Sequence, residues 1–134
     1  MHALEKLKPL ALLLLRWALG VIFVFHGAPK LFGNSQRFLE FFASLGFPSW
    51  MAYVAGVVEL FGGALLIAGL FTRVAGLLLA GEMAVALWKV HLAKGVLAVN
   101  EYEFPLTLAV AALTLAAVGA GAISLDRAIF KDKA

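Results

Sequence analysis

Seven ionisable side chains stand inside or at the edges of apolar runs in this 134-residue chain: Arg16, His26, Lys30, Glu59, Glu82, Lys89 and Glu103. In a hydrocarbon setting such groups are costly. They pair, line a polar interior, or do chemistry. The types present suit proton handling: an imidazole that changes charge near neutral pH, an ammonium that donates, and carboxyls that give and take protons. On an ideal helix turning about 100° per residue, Lys30 lies about 40° and His26 about 80° from Arg16, so the three share one stripe. Glu82 and Lys89, seven apart, share another.

Depth along the helices separates these groups into two layers. Arg16 lies about 10 Å in from one face and Glu82 about 13 Å in from the same face, at ~1.5 Å per residue. They are expected to form a structural ion pair that sets helix register, because a buried charge without a partner is costly. Glu59 lies about 13 Å in from the opposite face, level with His26 and Lys30. Lys89 and Glu103 stand at the mouth of that outer layer. Its expected ligand-binding set is His26, Lys30, Glu59, Lys89 and Glu103, with His26, Glu59 and Glu103 as proton-handling residues. No metal site is expected, since no ligand pair has HExxH-like spacing.

The elements that must position these groups are helices. Pro9 suits a first helical turn, and an apolar run carries the first span over about 9–30, with Gly27 and Pro29 expected to kink or end it near Lys30. Residues 34–47 are too short and too charged to span. Phe38, Leu39, Phe41, Phe42 and Leu45 oppose Arg37 and Glu40, the pattern of an amphipathic interfacial helix. Further spans are expected at about 50–70, 73–93 and 104–123. The fold class is therefore all-α, a transmembrane four-helix bundle with a short interfacial helix between helices 1 and 2, as one domain over 1–134. The leucine run after Lys6 and Lys8 reads as a retained first helix, since the apolar stretch is too long for a signal and no A-x-A site follows before Lys30.

Composition supports this placement. Apolar residues make up 63% and charged residues 14%, against a soluble average of roughly 45–50% and 25%. The net charge of +3 does not point to nucleic acid, because the basic residues sit at the termini and in short connections. Lys6, Lys8, Arg73, Arg127, Lys131 and Lys133 outnumber Lys30, Arg37, Lys89 and Lys94, a bias from which both termini are expected on the cytoplasmic side of an inner membrane. With no cysteine, a thiol nucleophile, a CxxC pair and thiolate-bound clusters are excluded on this chain.

Several short motifs occur in order along the chain. They are R-x3-G at Arg16–Gly20, HGxxKLF from His26 to Phe32, Glu59 followed by Gly62-Gly63, GLFTR from Gly69 to Arg73, Glu103 before the last span, and GxGxxSLD from Gly119 to Asp126. Together they resemble the DoxX family of small four-helix membrane proteins, over nearly the whole chain. The resemblance implies a link to quinone-dependent redox and marks Arg16, His26, Lys30, Glu59 and Glu103 as family-like polar positions. It leads to the expectation of an integral membrane redox-associated protein that binds a quinone or similar apolar ligand at its polar intramembrane site. Such a protein would carry no covalent cofactor and serve a quinone-linked oxidoreductase as an accessory. If it is an enzyme, it is an oxidoreductase component. The implied partners are the lipid bilayer, quinone, a membrane or soluble oxidoreductase, and further copies of itself. The same residues suit an alternative, a non-catalytic carrier, permease or assembly factor for a small lipid or metabolite.

Overall fold

In the computed structural model, which describes residues 2–33, 35–91, 95, 97 and 99–131, all regular structure is helical. A short lead, α1 (His2–Glu5), precedes α2 (Lys8–Leu31), 24 residues and about 36 Å long, with proline in its first turn. The helix does not break at Gly27 and Pro29. It runs through Pro29 and closes with the Phe32 N–H on the Ala28 carbonyl at 2.8 Å. Proline removes one backbone donor, and so near the C-terminal end little helix remains to be disrupted. Gly27 has a different role. A Cβ there would lie 2.5 Å from the Leu60 nitrogen and 2.8 Å from the Gly56 oxygen, so its bare backbone lets two helices touch.

The segment after α2 forms α3 (Ser35–Ser44), amphipathic and with no buried residue, packed on α2 and on α4 (Met51–Ala68). Gly69 closes α4 in the left-handed conformation that glycine adopts without strain, at φ 71°. After this three-residue turn come α5 (Thr72–Ala86) and, without interruption, a single π turn over Leu87–His91. Next come α6 (Val99–Val118) and α7 (Leu125–Phe130), the latter capped by Ser124, whose hydroxyl accepts from the Arg127 N–H at 3.1 Å.

The last long helix starts and ends about five residues earlier than expected. Pro105 lies inside it rather than opening it. Its end is set from another element: the Arg73 guanidinium donates to the carbonyls of Ala116, Ala117 and Val118, the groups a helix leaves unpaired at its C-terminus. Residues 92 and 93 of the expected third span lie outside the described residues, as do Asn34, Lys94 and Lys133.

Packing is pairwise. α2 lies along α4 and α5 along α6, and the two pairs meet mainly through α4 and α5. Small residues set both close approaches: a Cβ on Gly20 would lie 2.6 Å from the Gly63 oxygen, and one on Gly76 would lie 2.7 Å from the Ala112 oxygen. Leu19, Phe23, Leu66, Leu79 and Leu115 fill the space between. The outward surface is apolar too, with Trp17, Phe25, Phe61 and Leu77 all largely exposed. α2 and α4 are each long and apolar enough to cross a membrane, and Tyr102–Val118 forms a shorter apolar helix.

Candidate functional site

Three helices bring charge to one buried point. Lys30, on the last turn of α2, donates from Nζ to Glu59 Oε1 of α4 at 2.8 Å. Their side chains are only 12% and 8% exposed. The same ammonium donates to the His26 carbonyl at 3.1 Å and lies 4.9 Å from the centre of the Phe38 ring, so α3 roofs it. From α5, the Glu82 carboxyl comes within hydrogen-bonding reach of Glu59 and within the field of Lys30. Both Glu82 oxygens are buried and neither receives a donor.

This cluster holds two carboxyls and one ammonium. With every group ionised it would carry a net negative charge in an apolar interior, a costly state. One proton shared between the Glu59 and Glu82 carboxyls removes the imbalance and gives the facing oxygens a donor. The arrangement can therefore hold a proton and release it when the local charge changes. The adjoining π turn at Leu87–His91 marks an irregular helix beside the site, a feature found often at functional positions.

Not all of the expected set converges here. The His26 ring faces outward and lies 6.0 Å from the Phe104 ring of α6, centre to centre. Glu103 is exposed one position earlier on α6. Lys89 is also exposed, its ammonium lying 5.6 Å from the Phe47 ring and 5.0 Å from the Trp88 ring. Among the described residues, His26, Glu59 and Glu103 do not form a group that could hold a metal ion.

The expected Arg16–Glu82 pair does not form. Arg16 is fully buried, and its guanidinium donates to the carbonyls of Leu66, at 3.4 Å, and Ile123. The acid in its field is Asp126. The reason is an overhang. Counting inward from each helix end assumes that all helices start in one plane. Here the first turns of α2 project past the others, so Arg16 sits level with the end of α4 and the start of α5. Glu82 is ten residues, about 15 Å, further along.

Asp126 is the residue that sequence reasoning missed. In the sequence it stands only as the last residue of the GxGxxSLD motif. In the structure its two carboxylate oxygens accept the N–H groups of Phe71 (2.7 Å) and Thr72 (2.9 Å), capping α5 from more than fifty residues away. Its own N–H donates to the Gly69 carbonyl at 2.8 Å. Phe71 is held at φ 49°, an uncommon conformation for a non-glycine residue. The signal was present in the sequence as two motifs, GLFTR and SLD, whose residues bind one another.

Comparison with known proteins gives a consistent result. A family profile described as DoxX matches residues 11–92. A Bacillus subtilis protein named "Putative oxidoreductase CatD" is 37% identical over 130 residues, covering 97% of this chain and 95% of that protein. An uncharacterised Haemophilus influenzae protein is 40% identical, covering 98% and 99%. The Escherichia coli inner membrane protein YphA is 36% identical, covering 90% and 91%. No solved structure matches the chain.

Proposed function

We propose, since this chain belongs to the DoxX family, that it is a four-span inner-membrane protein whose Lys30–Glu59–Glu82 cluster holds a proton for a quinone-linked oxidoreductase that it serves as an accessory. The observation that carries this reading is the buried cluster itself: two carboxyls and one ammonium brought together from three helices. The fourfold span count takes α2, α4, α5 with its π turn, and α6 as the crossing helices. The name of the Bacillus subtilis relative supports the redox assignment.

Reduction of a quinone consumes two electrons and two protons, so a site for one needs hydrogen-bond donors at the carbonyl oxygens and a proton source nearby. The residues present fit that need in two parts. His26 is exposed at the seam of α2 and α6, its imidazole takes no hydrogen bond within the described residues, and the Phe104 ring offers a flat face beside it. His26 is then the donor to a headgroup arriving from lipid, and Glu103 the adjacent acid. Lys30 is committed to Glu59 and to the His26 carbonyl, so it fixes the acid pair rather than the ligand. The Glu59–Glu82 pair keeps the proton. Electrons come from the partner oxidoreductase.

Mass spectrometry of lipids and cofactors co-purifying in mild detergent tests this directly. Bound quinone is expected in the wild type, with lower occupancy in His26→Ala and in Glu59→Gln. Full quinone retention in both variants overturns the assignment. Proteoliposome uptake of a small metabolite that depends on Glu59, without redox activity, would instead assign the cluster to a proton-coupled carrier.

A further inference from the structure

The α5–α6 face that points away from α2 and α4 carries a feature that the proton site does not use. Two apolar hollows, of about 370 and 320 Å³, lie end to end along the seam and share Leu77 and Leu113. One ends at Arg73, and the other reaches Ala84 and Ala109. Arg73 to Ala84 spans eleven residues, about 16 Å at ~1.5 Å per residue, or roughly half of the ~30 Å hydrocarbon thickness of a bilayer. The groove is thus one leaflet deep. Its Arg73 end is the end that also carries α7 and the α4–α5 turn, since Phe71 lies against Phe130.

Two observations set the chemistry of an occupant. The first is charge. Arg73 donates to three helix-end carbonyls, yet no ion pair with a carboxylate forms at it among the described residues. Of its five N–H groups, three are used by these bonds, leaving two donors and a full positive charge at the groove's head. The second is Gly81. Gly20, Gly27, Gly56, Gly62, Gly63 and Gly76 all lie against a neighbouring helix, whereas a Cβ on Gly81 would meet nothing within 4 Å. No internal packing accounts for a bare backbone there, and its effect is to deepen the groove midway along.

We infer that this groove binds one anionic phospholipid, its phosphate on Arg73 and one acyl chain lying along Leu77, Gly81 and Leu113. A second copy of the chain fits less well, because a packed helix would follow the seam through both leaflets and would not call for an unpaired cation at one end. The inference rests on reading α5 and α6 as membrane-spanning, and it is independent of the proton cluster.

The test is native mass spectrometry of delipidated protein in mild detergent, titrated with phosphatidylglycerol or with phosphatidylcholine of the same chains. The wild type is expected to retain phosphatidylglycerol about fivefold better, the effect of one basic residue at a membrane surface. Arg73→Gln is expected to abolish the preference and Arg73→Lys to keep most of it. Gly81→Leu projects into open space and is expected to lower retention of both lipids with an unchanged circular dichroism spectrum. Equal retention of the two lipids by the wild type, or undiminished retention by Gly81→Leu, overturns the inference. So does a dimer that Gly81→Leu dissociates, which would assign the groove to a second copy. Glu59→Gln is expected to leave lipid retention unchanged, so this inference and the proton-site reading fail separately.

Discussion

Replacing Lys30 by methionine separates the roles of the three groups in the buried cluster. Methionine keeps the length and apolar stem of lysine but removes the cation that Glu59 faces at 2.8 Å. Both partners are about nine-tenths buried, so the cost is that of a buried ion pair losing one member, about 3–5 kcal/mol, rather than the ~0.5 kcal/mol of a surface pair. Two carboxyls would then face one another without a counter-charge. Glu82→Gln acts the other way: it removes the surplus acid and leaves an amide that can donate to Glu59, so a loss below about 1 kcal/mol is expected. Lys30→Met/Glu59→Gln should recover part of the Lys30→Met loss, giving a coupling of about 2 kcal/mol in the double-mutant cycle. The assay is equilibrium unfolding by a denaturing detergent titrated into mild-detergent micelles, followed by circular dichroism. If Glu82→Gln destabilises as strongly as Lys30→Met, Glu82 is held as a permanent anion with a partner of its own, and the shared-proton argument is refuted.

Three further outcomes follow from packing and capping. Gly27→Ala places a Cβ against backbone atoms of Leu60 and Gly56, which cannot move aside as side chains do, and is expected to cost about 1–3 kcal/mol. Gly81→Ala meets open space and should be neutral or stabilising by up to about 1 kcal/mol in the same unfolding assay. Asp126→Ala removes both acceptors of the α5 N-terminal N–H groups and leaves buried Arg16 without an acid in its field. A loss of about 3 kcal/mol and faster proteolysis at the C-terminal end are expected, with Asp126→Asn intermediate.

The identity of the polar positions was legible in the sequence, because in a chain this apolar every charged residue stands out. Lys30 with Glu59 was legible as well, since depth along two adjoining helices was enough to bring them level. Helix ends were less so. Pro29 and Pro105 looked like boundaries, but α2 runs through Pro29 in its last turn, α6 begins six residues before Pro105, and the end of α6 is set by Arg73 on a different helix.

The chain alone therefore determined the all-helical class, the apolar surface and the list of groups able to handle protons, because these follow from residue type and periodicity. Tertiary structure decided who meets whom. The overhang of α2 carries Arg16 away from Glu82 and onto the carbonyls beside Asp126. It also leaves Glu82 free to join Glu59. His26 and Lys30 lie one turn apart on the same helix, yet one faces Phe104 outward and the other Glu59 inward. The physical reason is that burial and pairing depend on the relative height and rotation of neighbouring helices. Those are set by glycine contacts such as Gly20 against Gly63 and Gly27 against Gly56, far from the charges that they align.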